Sequence, residues 1–250
     1  MTWISNDICM YVPPPWPCAG DALPLPRNQA HHALHVLRLE RGARVCLFDG
    51  VGNIAQALLE ISGKNQASLR LLESLHPVPH CVAPMDVILA LPRHETMDTV
   101  VRQACEMGVA RIHPVISARS TIPARVARQK TDHWQRVAIA ACEQSRRAHF
   151  LEILPPRRLD EVFNELRSDY AKLFFWEEAA GVDQIWPIKD GIRGLIAAIG
   201  CEGGWTSEEA AQFMDHGFST LSLGPLILRV DTAFCTVAAL GIHFLRTQSL

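Results

Sequence analysis

The spacing of apolar positions changes character near residue 80. Before that point the apolar residues fall into short runs, "ARVCLFDG" (43–50), "NIAQALLEI" (53–61) and "QASLRLLESL" (66–75), with turn residues between them. That is the pattern of consecutive β-strands, and Asp49-Gly50 is a hairpin signal between the first two. The pattern predicts a small N-terminal β-barrel with "QAHHALHVLRL" (29–39) as a helix set into it. "HPVPHCVAP" (76–84) disfavours both helix and central strand through its three prolines, and we place the domain boundary there, giving domains 1–76 and 77–250.

Beyond the boundary the runs become continuous. "DVILALP" (86–92) suits a strand covered on both faces, and Met97, Val100, Val101, Ala104 and Met107 follow at helical spacing. "ARIHPVIS" (110–117) precedes a helix with the stripe Trp134, Val137, Ala138, Ala141 and Cys142. "KLFFW" (172–176), "GLIAAIG" (194–200) and "STLSLG" (219–224) read as further strands, with a helix between the last two and a long terminal helix from about Asp231. Strands alternating with helices predict an α/β domain with a parallel sheet. The terminal "TAFCTVAALGIHFL" (232–245) is apolar nearly all round, which suits a deeply buried helix or, preferably, a dimer interface.

Composition narrows the classes. At 250 residues and 48% hydrophobic content the chain can bury one large or two modest cores, which argues against disorder. No charged leader with a secretory core and no run of 18 or more apolar residues is present, so we expect a cytoplasmic protein without a membrane span. Eight scattered cysteines without a C-x-x-C pair fit reduced thiols and argue against structural zinc. The net charge of −2 points to no polyanionic partner, yet residues 117–147 hold seven Lys or Arg against Asp132 and Glu143. That stretch is either a phosphate-facing surface or a solvated helix face.

Several motifs carry little. "GVGNIA" (50–55) matches G-x-G-x-x-A after a strand, but residues 56–73 read as hairpin strands rather than the helix a dinucleotide fold requires. His31 and His35 lie one helical turn apart with no third metal ligand in view, and no G-x-S-x-G occurs. Two loops are richer. "IGCEGGWTSEE" (199–209) follows a buried strand, and its Thr206 and Glu209 form a capping box that opens a helix. Its glycines either let a ligand approach the backbone or serve turn geometry alone. "LSLGPLILRVDTA" (221–233) then offers a second glycine-bearing loop with Arg229 and Asp231, which bind a ligand, pair with each other, or cap the helix.

These two loops together resemble the signature pair of the RsmE-type methyltransferases of the SPOUT superfamily. Residues 31–50 are similar to that family's N-terminal barrel, and "MDTVVRQACEMGVARIHPVISARS" (97–120) with "WQRVAIAACEQS" (134–145) are similar to its first two strand-helix units. The resemblance implies a PUA-like RNA-binding barrel, an α/β domain whose end threads a trefoil knot, and S-adenosylmethionine as cofactor. It further implies methylation of uridine N3 in 16S ribosomal RNA, naked or within the small subunit. A homodimer through the knot and C-terminal helix is implied too, with neither metal nor membrane.

By that resemblance Glu177, Ile199, Gly200, Glu202, Gly203, Gly204, Leu223, Gly224, Leu228 and Thr232 hold the cofactor. Arg229, Asp231 and Glu202 are the catalytic candidates, with Asp231 or Glu202 taking the N3 proton and Arg229 stabilising negative charge or a phosphate. Arg38, Arg119, Arg136, Arg146 and Arg147 are the RNA-binding candidates. The sequence departs from the family pattern at Cys201 (usually proline), Leu226 (usually arginine), Val230-Asp231 (usually Thr-Glu) and Ala148 (often asparagine), and the usual N-terminal arginines are missing. The rival readings are an RNA-binding or ribosome-assembly protein that keeps the fold without the reaction, and the nicotinamide enzyme suggested by residues 50–55.

Overall fold

The computed structural model describes residues 8–73, 76–79, 83–179 and 191–248, so part of the proline-rich segment 76–84 lies outside the described residues. The chain forms two compact units, Met1–His80 with Cys142–Phe150, and Cys81–Ala141 with Leu151–Leu250.

The first unit is a mixed sheet of β1 (Ile8–Tyr11), β2 (Ala22–Pro24), β3 (Arg44–Phe48), β4 (Asn53–Gly63), β5 (Gln66–Leu71) and β6 (His76–Pro77). Its order is β1-β3-β4-β5-β2, with β6 also on β4. The three strands expected between residues 43 and 75 are β3, β4 and β5, joined antiparallel. The expected helix is α1 (Arg27–His31), which runs on as a π-helical turn over His32–Val36. Ala30 and Ala33 enter a core with Val45, Leu47, Leu59 and Leu69.

The dinucleotide alternative fails on topology. Residues 49–52 join two antiparallel strands, and Asp49 Oδ1 accepts from the backbone N–H of Val51 and of Asn53 to close the turn. This turn receives the segment Cys142–Phe150: Phe150 N–H donates to Gly50 at 2.8 Å, and its ring meets Tyr11 edge-on at 4.8 Å.

The second unit is a parallel sheet of β7 (Met85–Ala90), β8 (Arg111–Ile116), β9 (Glu152–Ile153), β10 (Arg157–Arg158), β11 (Tyr170–Phe175), β12 (Gly194–Ile199) and β13 (Ser219–Leu221). The order is β10-β8-β7-β12-β11-β13, with β9 on β8. Every residue of β7 and of β12 is buried, which is why both read as unbroken apolar runs. Ile88, Ile196, Ala198 and Phe174 face a core closed by α5 (Leu159–Phe163) and α6 (Ser207–Asp215). There the Phe174 and Phe213 rings stack at 4.4 Å. The helices of the apolar stripes are α2 (His94–Met107) and α4 (Thr131–Ser145), and a short α3 (Ala124–Gln129), not anticipated, precedes α4.

The terminal helix α7 (Val230–Gln248) buries one face within its own chain. It packs on α2, β12 and β7, with Phe234, Val237, Ala238 and Leu245 inside. Gly241 permits this approach, since a Cβ there would sit 2.7 Å from Met85 Sδ and 2.8 Å from Leu195 Cδ2. Those atoms are flexible side-chain ends, so Gly241→Ala should leave stability near the native value, its gain in helix propensity offsetting small shifts. Gly241→Leu should cost about 1–3 kcal/mol through overpacking, read from urea melts of the two variants.

Candidate functional site

The ends of β11, β12 and β13 and the start of α2 meet around a cleft of about 680 Å³. The register explains the convergence: Ile199 pairs with Leu89, Phe174 with Ala198, and Phe175 with Leu221, so these strands stop level and release their loops together. Such carboxyl-end crevices are where open parallel sheets take small ligands.

The cleft gathers most of the expected residues. Glu177, Ile199, Gly200, Glu202, Gly204, Leu223, Gly224 and Leu228 line it, as do Arg229 and Asp231. Gly203 does not; its carbonyl accepts from Arg119 Nη1 at 2.8 Å. Thr232 lies on the exposed side of the first turn of α7, where its carbonyl accepts from the Thr236 hydroxyl. Among the described residues no ion pair joins Arg229 to Asp231, so mutual pairing is not what holds them.

The expected RNA-facing arginines lie elsewhere. Arg119 and Arg136, in the second unit, do not line the cleft, and Arg38, Arg146 and Arg147 belong to the first. Arg38 and Arg146 both adopt a left-handed backbone, uncommon for a side chain of this size.

The loop after β12 is held from several sides. Gly204 N–H donates to Cys201 O at 2.9 Å, closing a turn with Gly204 at φ +68. A Cβ at Gly204 would meet only the movable carboxylate end of the exposed Glu177, so it is the left-handed backbone that calls for glycine here. Glu209 is buried and works twice: Oε2 accepts from Thr206 N–H at 3.0 Å in the capping box, and Oε1 accepts from Ala118 N–H at 2.8 Å. The capping box was legible as T-x-x-E, but the bond to the loop after β8 was not, because it spans 91 residues.

Sequence reasoning missed Arg93, Glu95, Thr96, Trp176 and Ser222, which also line the cleft. The signal was there for the first three, since "PRHET" follows a buried strand just as the glycine loops do. The lining is acidic on balance, Glu95, Glu177, Glu202 and Asp231 against Arg93 and Arg229. Behind it on α7, burial first and then Asp231 and Glu106 push the Cys235 thiol up, which keeps it protonated at neutral pH. Leu226 and Ile227 stand 77% and 90% exposed at the rim, an apolar pair facing outward.

Comparison with known proteins places this geometry. Residues 80–242 match an RNA methyltransferase domain and residues 25–72 an RNA methyltransferase PUA domain. The chain is 30% identical to the ribosomal RNA small subunit methyltransferase E of Mycobacterium bovis, over 90% of this chain and 87% of that one. It is 28% identical to its counterpart in Aquifex aeolicus, over 90% and 96%. The crystal structure of a ribosomal RNA small subunit methyltransferase E from Neisseria gonorrhoeae, bound to S-adenosyl methionine, superposes with a TM-score of 0.84 at 30% identity, covering 94% of this chain and 96% of that chain.

Glu209→Ala strips two part-buried backbone N–H groups, those of Thr206 and Ala118, of their carboxylate acceptor. It should destabilise the protein by roughly 1–3 kcal/mol in denaturant unfolding, whereas Glu208→Ala, on the exposed side of the same turn, should cost clearly less.

Proposed function

This chain belongs to the ribosomal RNA small subunit methyltransferase E family, and from that premise we propose that it uses S-adenosylmethionine to methylate N3 of a uridine in 16S ribosomal RNA. The observation that carries the reading is the convergence of Gly200, Gly204, Leu223, Gly224 and Leu228 with Glu177 in one cleft, in a fold shared with a relative solved with that cofactor.

The residues present fit such a ligand. Four carboxylates against two guanidiniums suit a molecule bearing a sulfonium and an ammonium, and the close backbone turn at Gly204 suits a flat nucleoside beside it. Glu177, Gly200, Gly204, Leu223, Gly224 and Leu228 would hold the cofactor, with Ile199, Glu202, Gly203 and Thr232 in or beside the same loops. When bound, it supplies a methyl group already activated by a positive sulfur.

The chain's own task is then to orient an unpaired uracil and to remove its N3 proton. Asp231, at the start of α7 and facing the cleft, accepts that proton. Arg229, exposed two residues earlier, steadies negative charge on the ring oxygens or holds a phosphate. Arg38, Arg119, Arg136, Arg146 and Arg147 contact RNA phosphates by their charge.

The wider architecture follows the family. Along the chain the domains are 1–76 and 77–250, with the segment Cys142–Phe150 of the second packed into the first compact unit; the first is a closed PUA-like barrel, and a register shift between Ile61 and Gly63 supports the bending of β4 that closure needs. The chain end threads a trefoil knot. In its favour, β13 at the sheet edge leads through residues 222–229 to a helix packed back on central β7 and β12. Two copies pair through the knot and α7, where Leu240 is 46% exposed. Among the described residues no helix is long and apolar enough to cross a membrane, and no group of three metal-ligating side chains is found. A metal-free, cytoplasmic enzyme is the family reading that completes the proposal.

Purified protein incubated with labelled S-adenosylmethionine and small subunits from cells lacking the modification should yield 3-methyluridine in 16S RNA, located by nucleoside mass spectrometry. Cofactor binding without transfer would establish the rival, an RNA-binding or assembly protein that keeps the fold. Asp231→Asn should lower kcat by about 10²-fold or more with cofactor affinity little changed, measured by single-turnover assay beside calorimetry.

A further inference from the structure

We infer that Glu202 is a positioning residue, a carboxylate that caps α2 from the opposite wall of the cleft, and not the proton acceptor. The inference deepens the proposed methyl transfer and rests on that reading for its kinetic consequences.

The sequence at the start of α2 supplies no cap. Its N-cap is Arg93, whose side chain makes no capping bond, and the first turn of any helix leaves N–H groups without partners inside the helix. Glu202, 109 residues away on the loop after β12, takes over that role. Its Oε1 accepts from the Arg93 backbone N–H at 3.1 Å and from the Thr96 hydroxyl at 3.2 Å. A negative carboxylate is also what the N-terminal end of a helix favours.

The consequence is geometric. Arg93, Glu95 and Thr96 form one wall of the cleft, Gly200, Cys201, Glu202 and Gly204 another, and the single Oε1 atom joins the two. Since α2 also packs along α7, the clamp bears on the helix whose first turn carries Asp231. An oxygen committed to two donors at a helix end is suited to holding walls at a fixed separation. Asp231 has no such engagement among the hydrogen bonds of the described side chains, which leaves it the residue placed to take a proton.

The conservative variant separates the two roles. An amide oxygen can accept both bonds but cannot accept a proton at neutral pH, so Glu202→Gln should lose clearly less kcat than Glu202→Ala. Glu202→Ala should lose about tenfold or more in kcat/KM, the scale of losing one charged hydrogen-bond acceptor. Thr96→Val should reproduce part of that loss, and adding it to Glu202→Ala should change little further.

Hydrogen exchange gives a readout independent of turnover. The Arg93 amide, the one backbone N–H that Glu202 accepts from, should exchange roughly tenfold faster in Glu202→Ala than in native protein or Glu202→Gln. If Glu202→Gln is as inactive as Glu202→Ala while its Arg93 amide stays protected, Glu202 acts through its charge or as the proton acceptor rather than by position, and the inference is wrong. If Glu202→Ala leaves exchange unchanged, there is no clamp, and the inference fails equally. Absence of methyl transfer by the native protein would instead refute the proposed function, and the exchange comparison would still decide the clamp.

Discussion

The pairing of β7 with β12 is the constraint on which the rest depends. Five register pairs, from Leu195 with Met85 to Ile199 with Leu89, put two strands more than a hundred residues apart side by side at the centre of the sheet. Both are buried along their whole length, so a polar side chain there needs a partner, as Asp86 finds in Arg111. A one-residue slip would exchange the face covered by α7 for the face covered by α5 and α6. Once that register is set, the loops that follow β12 and the strands beside it must leave from one end. The cleft is a consequence of sheet register before it is a consequence of any side chain.

Carboxylates then organise what the sheet brings together. Glu209 ties the loop after β8 to the loop after β12, and Glu202 ties the latter to the start of α2. In each case a side-chain oxygen satisfies backbone N–H groups that a helix end or a turn leaves open. The loops around the cleft are therefore fixed by a few charged hydrogen bonds together with apolar packing, since Cys201 and Trp205 of the loop after β12 enter the aromatic core around Phe213. A site built this way keeps polar groups at its walls without exposing the core.

The first unit shows the same use of open backbone groups in a different setting. A turn that looks like a nucleotide loop in sequence is a hairpin whose backbone instead bonds the Ala148–Phe150 segment, through Gly52 N–H to Ala148 O and Phe150 N–H to Gly50 O. Close glycines permit two backbones to approach, and a spacing motif alone does not say whether the second backbone belongs to a ligand or to the protein.

Local order was legible in the sequence because it depends on near neighbours. The period of apolar residues marked β3, β4, β5, β7, β8, β11, β12, β13, α2, α4 and α7, and Thr206 with Glu209 marked the start of α6. The two glycine loops could be named as site loops because they follow buried strands, and family resemblance sharpened that reading. Short elements held by tertiary contacts, such as α3, β9 and β10, left no periodic trace. Nor did the sequence reveal which face of α7 its own chain buries, that Arg93 and Thr96 share the cleft, or that Glu202 caps α2. Those facts join residues as far as 109 positions apart, and only the order of strands in the sheet decides which distant loops meet.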